Sequence, residues 1–402
     1  MGAVVMNNRQ LIHRGLFSKK AFFLALLIVF LTAVPLFSAN ITVPSLEIYS
    51  WARNDGAGFA LDSYGDIELQ LDGGYKFGGA IKFDFTSSTG SSLETAAFND
   101  MLAFKSVSVT LRDLFNIPLD FTYFIGQGDT FGTGELFTTY FGTPLLGSRY
   151  TSYLHFPTAT DFNFYEGIHT IYGTGGKFEF APTEKNWLLS LYIYQDSAPV
   201  FLDTAVDPVV FSSRQGSLDI RTAFNLEKFR LEAFVGTTFP TSDSAIGYIR
   251  SGLFFHAGTD KVEFLAELGI PRWRPLDDAF DLNLFYLLLE QRVHFGSFSI
   301  VPTFFWRPGY YQQDVTGEEA MDINLDLQFH AKEESLVSGG VEVNFVYQTA
   351  PTSEMIAKAI PYIQFSTPGV VYKAQVNTKV WPFDLTDMSD MFAVFLSIQA
   401  AF

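Results

Sequence analysis

MDINLDLQFH, residues 321–330, holds the key to the fold. Met321, Ile323, Leu325, Leu327 and Phe329 face one way, and Asp322, Asn324, Asp326, Gln328 and His330 face the other. A period of two is a β-strand with one apolar and one polar face. The pattern recurs in SLDIRTAFNLE (217–227) and VVYKAQVNTKV (370–380), and again in DIELQLDGGYK (66–76), KFRLEAFVG (228–236), KVEFLAELGI (261–270) and VEVNFVYQ (341–348). Each strand runs to about ten residues, beyond the usual length in soluble sheets. The sequence closes on MFAVFLSIQAAF (391–402), in which Phe392, Val394, Leu396, Ile398, Ala400 and Phe402 are all apolar. A chain end is ordinarily loose and polar, so a last strand that keeps its apolar face through Phe402 is expected to be paired and buried.

The segments between strands alternate in length. Tight connections are expected near Phe77-Gly78, Asp113–Asn116, Pro182–Lys185, Glu227-Lys228, Gly258–Asp260, Gly296, Lys332–Ser335 and Pro368. Long ones are expected at 54–64, 88–103, 127–166, 196–215, 239–246, 271–280, 308–320, 349–357 and 382–389. These divide the chain into 16 to 18 strands, the first at 44–53 and the last at 390–402. Alternation blurs in the first strand and around DLNLFYLLLEQRVHF (281–295). Short and long turns in alternation put all the short ones at one end, and an even strand number puts both termini there. Long antiparallel strands, even in number, apolar outside and polar inside, are the pattern of a transmembrane β-barrel. Lipid offers no hydrogen-bond partner to a backbone, so a sheet within it must close and leave no edge. A secreted sandwich has shorter strands as a rule and would not give two alternating loop classes; a solenoid would show a sequence repeat, and none is present.

Composition agrees with this architecture. The chain has 402 residues, 44 of them Phe and 18 Tyr, with no cysteine. It opens with Arg9, Arg14, Lys19 and Lys20, followed by the apolar run FFLALLIVFLTAVPLF and the small residues Ser38 and Ala39. The run is shorter than the about 20 residues of a spanning helix. Residues 1–39 therefore read as an export signal cut near Ala39, leaving 40–402 as a single barrel domain. Loss of four basic and no acidic residues takes the net charge from −17 to −21. A chain so acidic is not expected to bind nucleic acid or anionic lipid headgroups. Without cysteine there are no disulfides, no thiolate metal site and no lipidated N-terminal cysteine.

Function is expected in the lumen, because a barrel of 16 to 18 strands leaves an aqueous channel where eight strands fill with side chains. Strand parity turns thirteen acids, Asp322 and Asp326 among them, and eight bases, including Lys373 and Lys379, toward it. A net negative wall predicts a weak cation preference, unless the charges merely pair across strands. Arg221, Arg230 and Arg250 fall on adjacent strands, read as the seventh, eighth and ninth, and form either a basic ladder facing 127–166 or salt bridges with Asp219 and Glu232. Aromatic residues mark two levels of the wall: Trp273, Trp306 and Tyr310-Tyr311 at one, and Tyr75, Phe180, Trp187 and Phe402 at the other. Strict alternation turns Trp381 inward. The six histidines show no metal-ligand spacing and neither GxSxG nor a P-loop is present, so no enzyme activity, metal or cofactor is expected.

With strand pattern, loop alternation and terminal Phe402 together, residues 44 to 402 resemble a Gram-negative-type outer-membrane β-barrel, most of all a porin. The resemblance implies an outer-membrane channel for passive diffusion of small hydrophilic solutes. It also implies recognition of Phe402 by the barrel-assembly machinery and a homotrimeric assembly. It implies that the third long loop, here 127–166 between strands read at 117–126 and 167–180, folds into the lumen and narrows it. Asp129, Glu135, Asp161 and Glu166 would then stand at a constriction. The loop's sequence, GQGDTFGTGELFTTYFGTP, departs from the acidic-aromatic-glycine motif of general-diffusion porins. Two other classes are compatible with a large barrel: a substrate-specific transporter, and a surface barrel whose long loops bind outside partners.

Overall fold

The computed structural model describes residues 40–54, 59–88, 103–144, 146–148, 150, 167–182, 186–196, 215–239, 247–275, 280–306, 319–330, 336–348, 353–383 and 391–401. The proposed export signal, residues 1–39, and the terminal Phe402 lie outside them.

Eighteen strands follow one another along the chain. They are β1 (Asn40–Asn54), β2 (Phe59–Asp72), β3 (Phe77–Ser88), β4 (Ala103–Leu111), β5 (Leu119–Phe131) and β6 (His169–Phe180). Next come β7 (Trp187–Asp196), β8 (Gln215–Asn225), β9 (Phe229–Phe239), β10 (Ile249–Gly258), β11 (Val262–Trp273) and β12 (Tyr286–Phe295). The last six are β13 (Phe298–Trp306), β14 (Glu319–His330), β15 (Val337–Gln348), β16 (Glu354–Thr367), β17 (Val370–Trp381) and β18 (Phe392–Ala401). Each pairs antiparallel with the next, and β18 returns to pair with β1 from Ser45↔Ala401 to Arg53↔Ala393. The sheet has no free edge.

Burial is inverted relative to a soluble domain. On β14, Asp322 is 0% and Asn324 3% exposed, while Ile323 is 46% and Phe329 56% exposed. Polar side chains line the inside and apolar ones cover the outside, as a bilayer requires. Replacing Leu325, in the middle of the outer face of β14, with arginine is expected to cost about 2–4 kcal/mol of barrel stability. Chemical unfolding in lipid vesicles checks this; no loss would mean the face is not in lipid.

The structure adjusts several sequence boundaries. β1 and β2 run on to pair Asn54 with Phe59, so the long connection expected at 54–64 shrinks to 55–58. β16 begins at Glu354, which likewise shortens the connection expected at 349–357. The tight turn expected at Phe77-Gly78 lies at 73–76. Arg221, Arg230 and Arg250 sit on β8, β9 and β10 and not on the seventh, eighth and ninth strands, because the strand at 187–196, which the expected connections at 182–185 and 196–215 already bound, is itself the seventh. Trp381 does not follow strict alternation. Lys358 pairs with Lys379 and Ala357 with Trp381, so Val380 is an extra, bulged residue and Trp381 turns outward. Phe180 and Trp187 pack in a tilted arrangement with centroids 5.6 Å apart beside the short turn between β6 and β7, while Trp273 and Trp306 end β11 and β13 at the opposite rim. Tyr310 and Tyr311 lie outside the described residues.

Candidate functional site: a lumen divided by an inward loop

After β5 the chain turns into the barrel instead of away from it. A short helix, α1 (Glu135–Phe141), is bracketed by Gly134 and Gly142, whose φ values of 74° and 64° are left-handed. Leu136 and Phe137 of α1 are buried. Phe137 packs on Phe254 of β10 with ring centroids 5.8 Å apart, and Phe131 packs on Phe234 of β9 at 4.7 Å. Further along, Tyr150 donates to Asp322 of β14 at 2.7 Å and accepts from Asn344 of β15 at 2.9 Å. Ser148 donates to Glu290 of β12 at 2.5 Å, and Arg292 donates to the Gly147 carbonyl at 2.8 Å. Gly132 N–H donates to Glu232 at 3.1 Å. The loop therefore lies against the inner face of β8 to β15 through apolar packing and hydrogen bonds to buried carboxylates.

Two facing glycines accommodate the loop's return. Gly252 and Gly269 pair across β10 and β11. A Cβ at Gly269 would stand 2.4 Å from Ile168 Cγ2, and one at Gly252 would stand 2.8 Å from Ile168 Cδ1. Only hydrogen at both positions leaves a slot for the Ile168 side chain, which is fully buried. Neighbouring inward residues Leu265, Tyr286, Leu288 and Phe305 are buried as well, so the loop fills this half of the lumen with apolar packing around buried, hydrogen-bonded carboxylates.

The other half stays open and polar. A cavity of ≈ 1430 Å³ lies between the loop and strands that include β1, β2, β3 and β15 to β18. Among the described residues its lining carries ten carboxylates and six lysines or arginines. Many of these charges pair. Lys105 bridges Asp66 at 2.7 Å and Asp84 at 3.2 Å, Lys82 meets Glu68 at 3.1 Å, and Lys373 meets Glu342 at 3.3 Å. Asp66 pairs directly with Glu47 on one side and Asp84 on the other, so three inward carboxylates stand in one row across β1, β2 and β3. Like charges so placed repel, and the Lys105 ammonium answers two of them.

The sequence-derived candidates fall into distinct settings. Asp129 accepts from Tyr192 at 2.6 Å and Lys177 at 3.1 Å and lies 3.6 Å from Arg221; all the same it borders the cavity. Glu135 opens α1 on the cavity side and is exposed. Arg221 also donates to Glu232 at 2.9 Å and covers the Phe131 ring. Arg250 is enclosed: it meets both oxygens of Asp219 at 2.5 and 2.6 Å, Tyr194 at 2.7 Å and Thr238 at 2.8 Å. Arg230 lies 3.3 Å from His256. These three arginines form separate clusters and not a continuous ladder. Asp322 is covered by Tyr150, whereas Asp326 and Lys373 face the cavity. Lys379 stands opposite Lys358 and away from the cavity lining. Asp161 and Glu166 lie outside the described residues.

Several inward charged residues escaped the sequence reading, four of them beside the loop or the cavity. Glu290 and Arg292 belong to β12, where inward Tyr286 and Leu288 beneath the loop erase the alternation. Glu47 sits on blurred β1. Lys105 is an extra residue of β4: Lys82 pairs with Ser106 and Phe83 with Phe104, and the bulge turns Lys105 inward against parity.

A closed antiparallel sheet, apolar outside and polar inside, is the fold of an outer-membrane β-barrel. No protein-family model matches the sequence, and no curated protein matches it. Among solved structures, a mutant of the Rh. blastica porin aligns with 90% of this chain and 100% of its own, at 9% identity and a TM-score of 0.47. OccAB3 of Acinetobacter baumannii aligns with 90% of this chain and 99% of its own, at 9% identity and a TM-score of 0.49. The divided lumen is read from this chain's own pairings and side chains.

Proposed function

We propose that the chain is an outer-membrane channel for passive diffusion of small hydrophilic solutes, with a weak preference for cations. The observation that carries this reading is the open polar cavity of ≈ 1430 Å³ beside the inward loop, with its ten acidic against six basic side chains. A wall of net negative charge concentrates cations and repels anions. Pairing of Lys105, Lys82 and Lys373 with wall carboxylates keeps the field modest. Asp129, Glu135, Arg221, Asp326 and Lys373 are the earlier candidates assigned to the passage, joined by Glu47 and Lys105. Arg250 and Asp322 are assigned to holding the wall and loop.

Reconstitution in a planar bilayer tests the proposal. Steady single-channel conductance is expected, with a reversal potential of cation-selective sign under a salt gradient. An electrically silent bilayer containing folded protein overturns the channel reading; an anion-selective reversal potential overturns the charge assignment alone.

A further inference from the structure

On the inner wall, Glu232 meets Arg221 at 2.9 Å, Asp219 meets Arg250 at 2.5 Å, Glu290 meets Arg292 at 2.7 Å and Glu342 meets Lys373 at 3.3 Å. Glu267 of β11 is as deeply buried and has no such counter-ion among the described residues. Its Oε2 accepts from Tyr286 at 2.8 Å, and its Oε1 is enclosed without a hydrogen-bond partner. Holding a carboxylate out of water on these terms is costly unless a positive group completes it.

The surroundings leave a place for such a group. Glu267 pairs with Phe254 of β10 on one side and Leu288 of β12 on the other, both fully buried. The inward loop touches the wall on both flanks. Phe137 rests on Phe254, while Ser148 and Gly147 are bonded to Glu290 and Arg292. Glu267, Leu136, Gly147 and Ser148 all border the open cavity. The carboxylate is thus the floor of a recess between two passes of the loop, with Phe254, Leu288 and Leu136 as apolar walls. Arg292 does not fill it, being held by Glu290, Glu263 and the Gly147 carbonyl.

We propose that this recess binds the primary ammonium group of a small organic amine, with Glu267 as its counter-ion. An ammonium brings a positive charge and three N–H donors, and Oε1 takes one of them in a charge-assisted bond. The apolar walls suit the alkyl part of the same molecule and disfavour a bare, strongly hydrated ion. A hard divalent cation asks for about six to eight oxygen ligands, and the described residues hold no metal-binding group of His, Asp and Glu. The inference rests on the channel reading and deepens it: among the cations admitted to the lumen, small primary amines are the class that lodges there.

Saturation-transfer NMR on the folded full chain in detergent micelles tests it, with n-butylammonium as the probe and tetramethylammonium, a cation without N–H donors, beside it. Binding is read without any current, so a silent bilayer would remove the channel reading and leave this measurement standing. Saturable binding of butylammonium is expected, with tetramethylammonium at least tenfold weaker. Glu267→Gln keeps the shape and the Tyr286 hydrogen bond but not the charge, and is expected to weaken butylammonium at least tenfold. Glu227→Gln makes the same charge change at an exposed turn and is expected to leave binding as it was. Wild-type protein that binds both cations equally, or neither, overturns the proposal without recourse to a variant. So does a folded Glu267→Gln protein that binds butylammonium as the wild type does.

Discussion

Replacing Arg250 with methionine is expected to lower the stability of the barrel by about 3–5 kcal/mol. The guanidinium is held on the inner wall by both oxygens of Asp219, by Tyr194 and by Thr238, with Asp196 3.6 Å away. Asp219 is 0% exposed and Arg250 3% exposed. Methionine of similar length leaves Asp219 charged, buried and without its counter-ion, which is the costly way to break such a pair. The neighbouring wall is shaped for the pair: a Cβ at Gly236 would fall 1.6 Å from Asp219 Oδ1. Gly236→Ala is expected to act in the same direction. Arg250→Met combined with Asp219→Asn should recover most of the loss, since neither charge is then stranded. Unfolding in lipid vesicles measures all three. A loss below about 1 kcal/mol for Arg250→Met, as for a solvated surface pair, would show that water reaches this cluster.

The second large effect is on conductance. Gly269→Val is expected to expel Ile168 from its slot and release the inward loop from β10 and β11. The inserted atoms meet Ile168 Cγ2 at 2.4 Å and the Ser251 carbonyl at 2.7 Å. Overpacking of this kind costs about 1–3 kcal/mol, enough to favour undocking of a loop without unfolding a closed sheet. Single-channel conductance should rise by roughly twofold or more, because a barrel of this strand number is wide once its lumen is clear. Ile168→Ala removes the knob instead of filling the slot and is expected to increase current noise without straining the wall. If both variants fold and conduct like the wild type, the glycine slot does not hold the loop.

These two sites show why some of the molecule was legible in sequence and some was not. On β14 and β8 one face meets lipid and the other water or buried charge, so alternation is clean and the parity of Asp322, Asp219 and Arg221 is evident. On β12 the inward Tyr286 and Leu288 lie beneath the loop and not in water. The first half of the strand is then apolar on both faces and hides the inward Glu290 and Arg292 that follow it. Alternation reports contrast between two environments, and it fails where a third element equalises them. Bulges cause the other errors. A single extra residue reverses every side chain beyond it, which hid Lys105 and misdirected Trp381. The salt-bridged reading of Arg221 and Arg250 holds with the partners that sequence offered, Glu232 and Asp219, whereas Asp129, distant in sequence from Arg221, is brought near only by the folded wall.

The pairing of Ser45 with Ala401 has a bearing on biosynthesis. The first strand waits for the last, so no truncated or half-made chain can satisfy its own margins. Joining two such remote segments carries a high entropic toll and is intrinsically slow. The newly made polypeptide must therefore be kept from sticking to its neighbours during transit, and it becomes a finished object only when β18 meets β1.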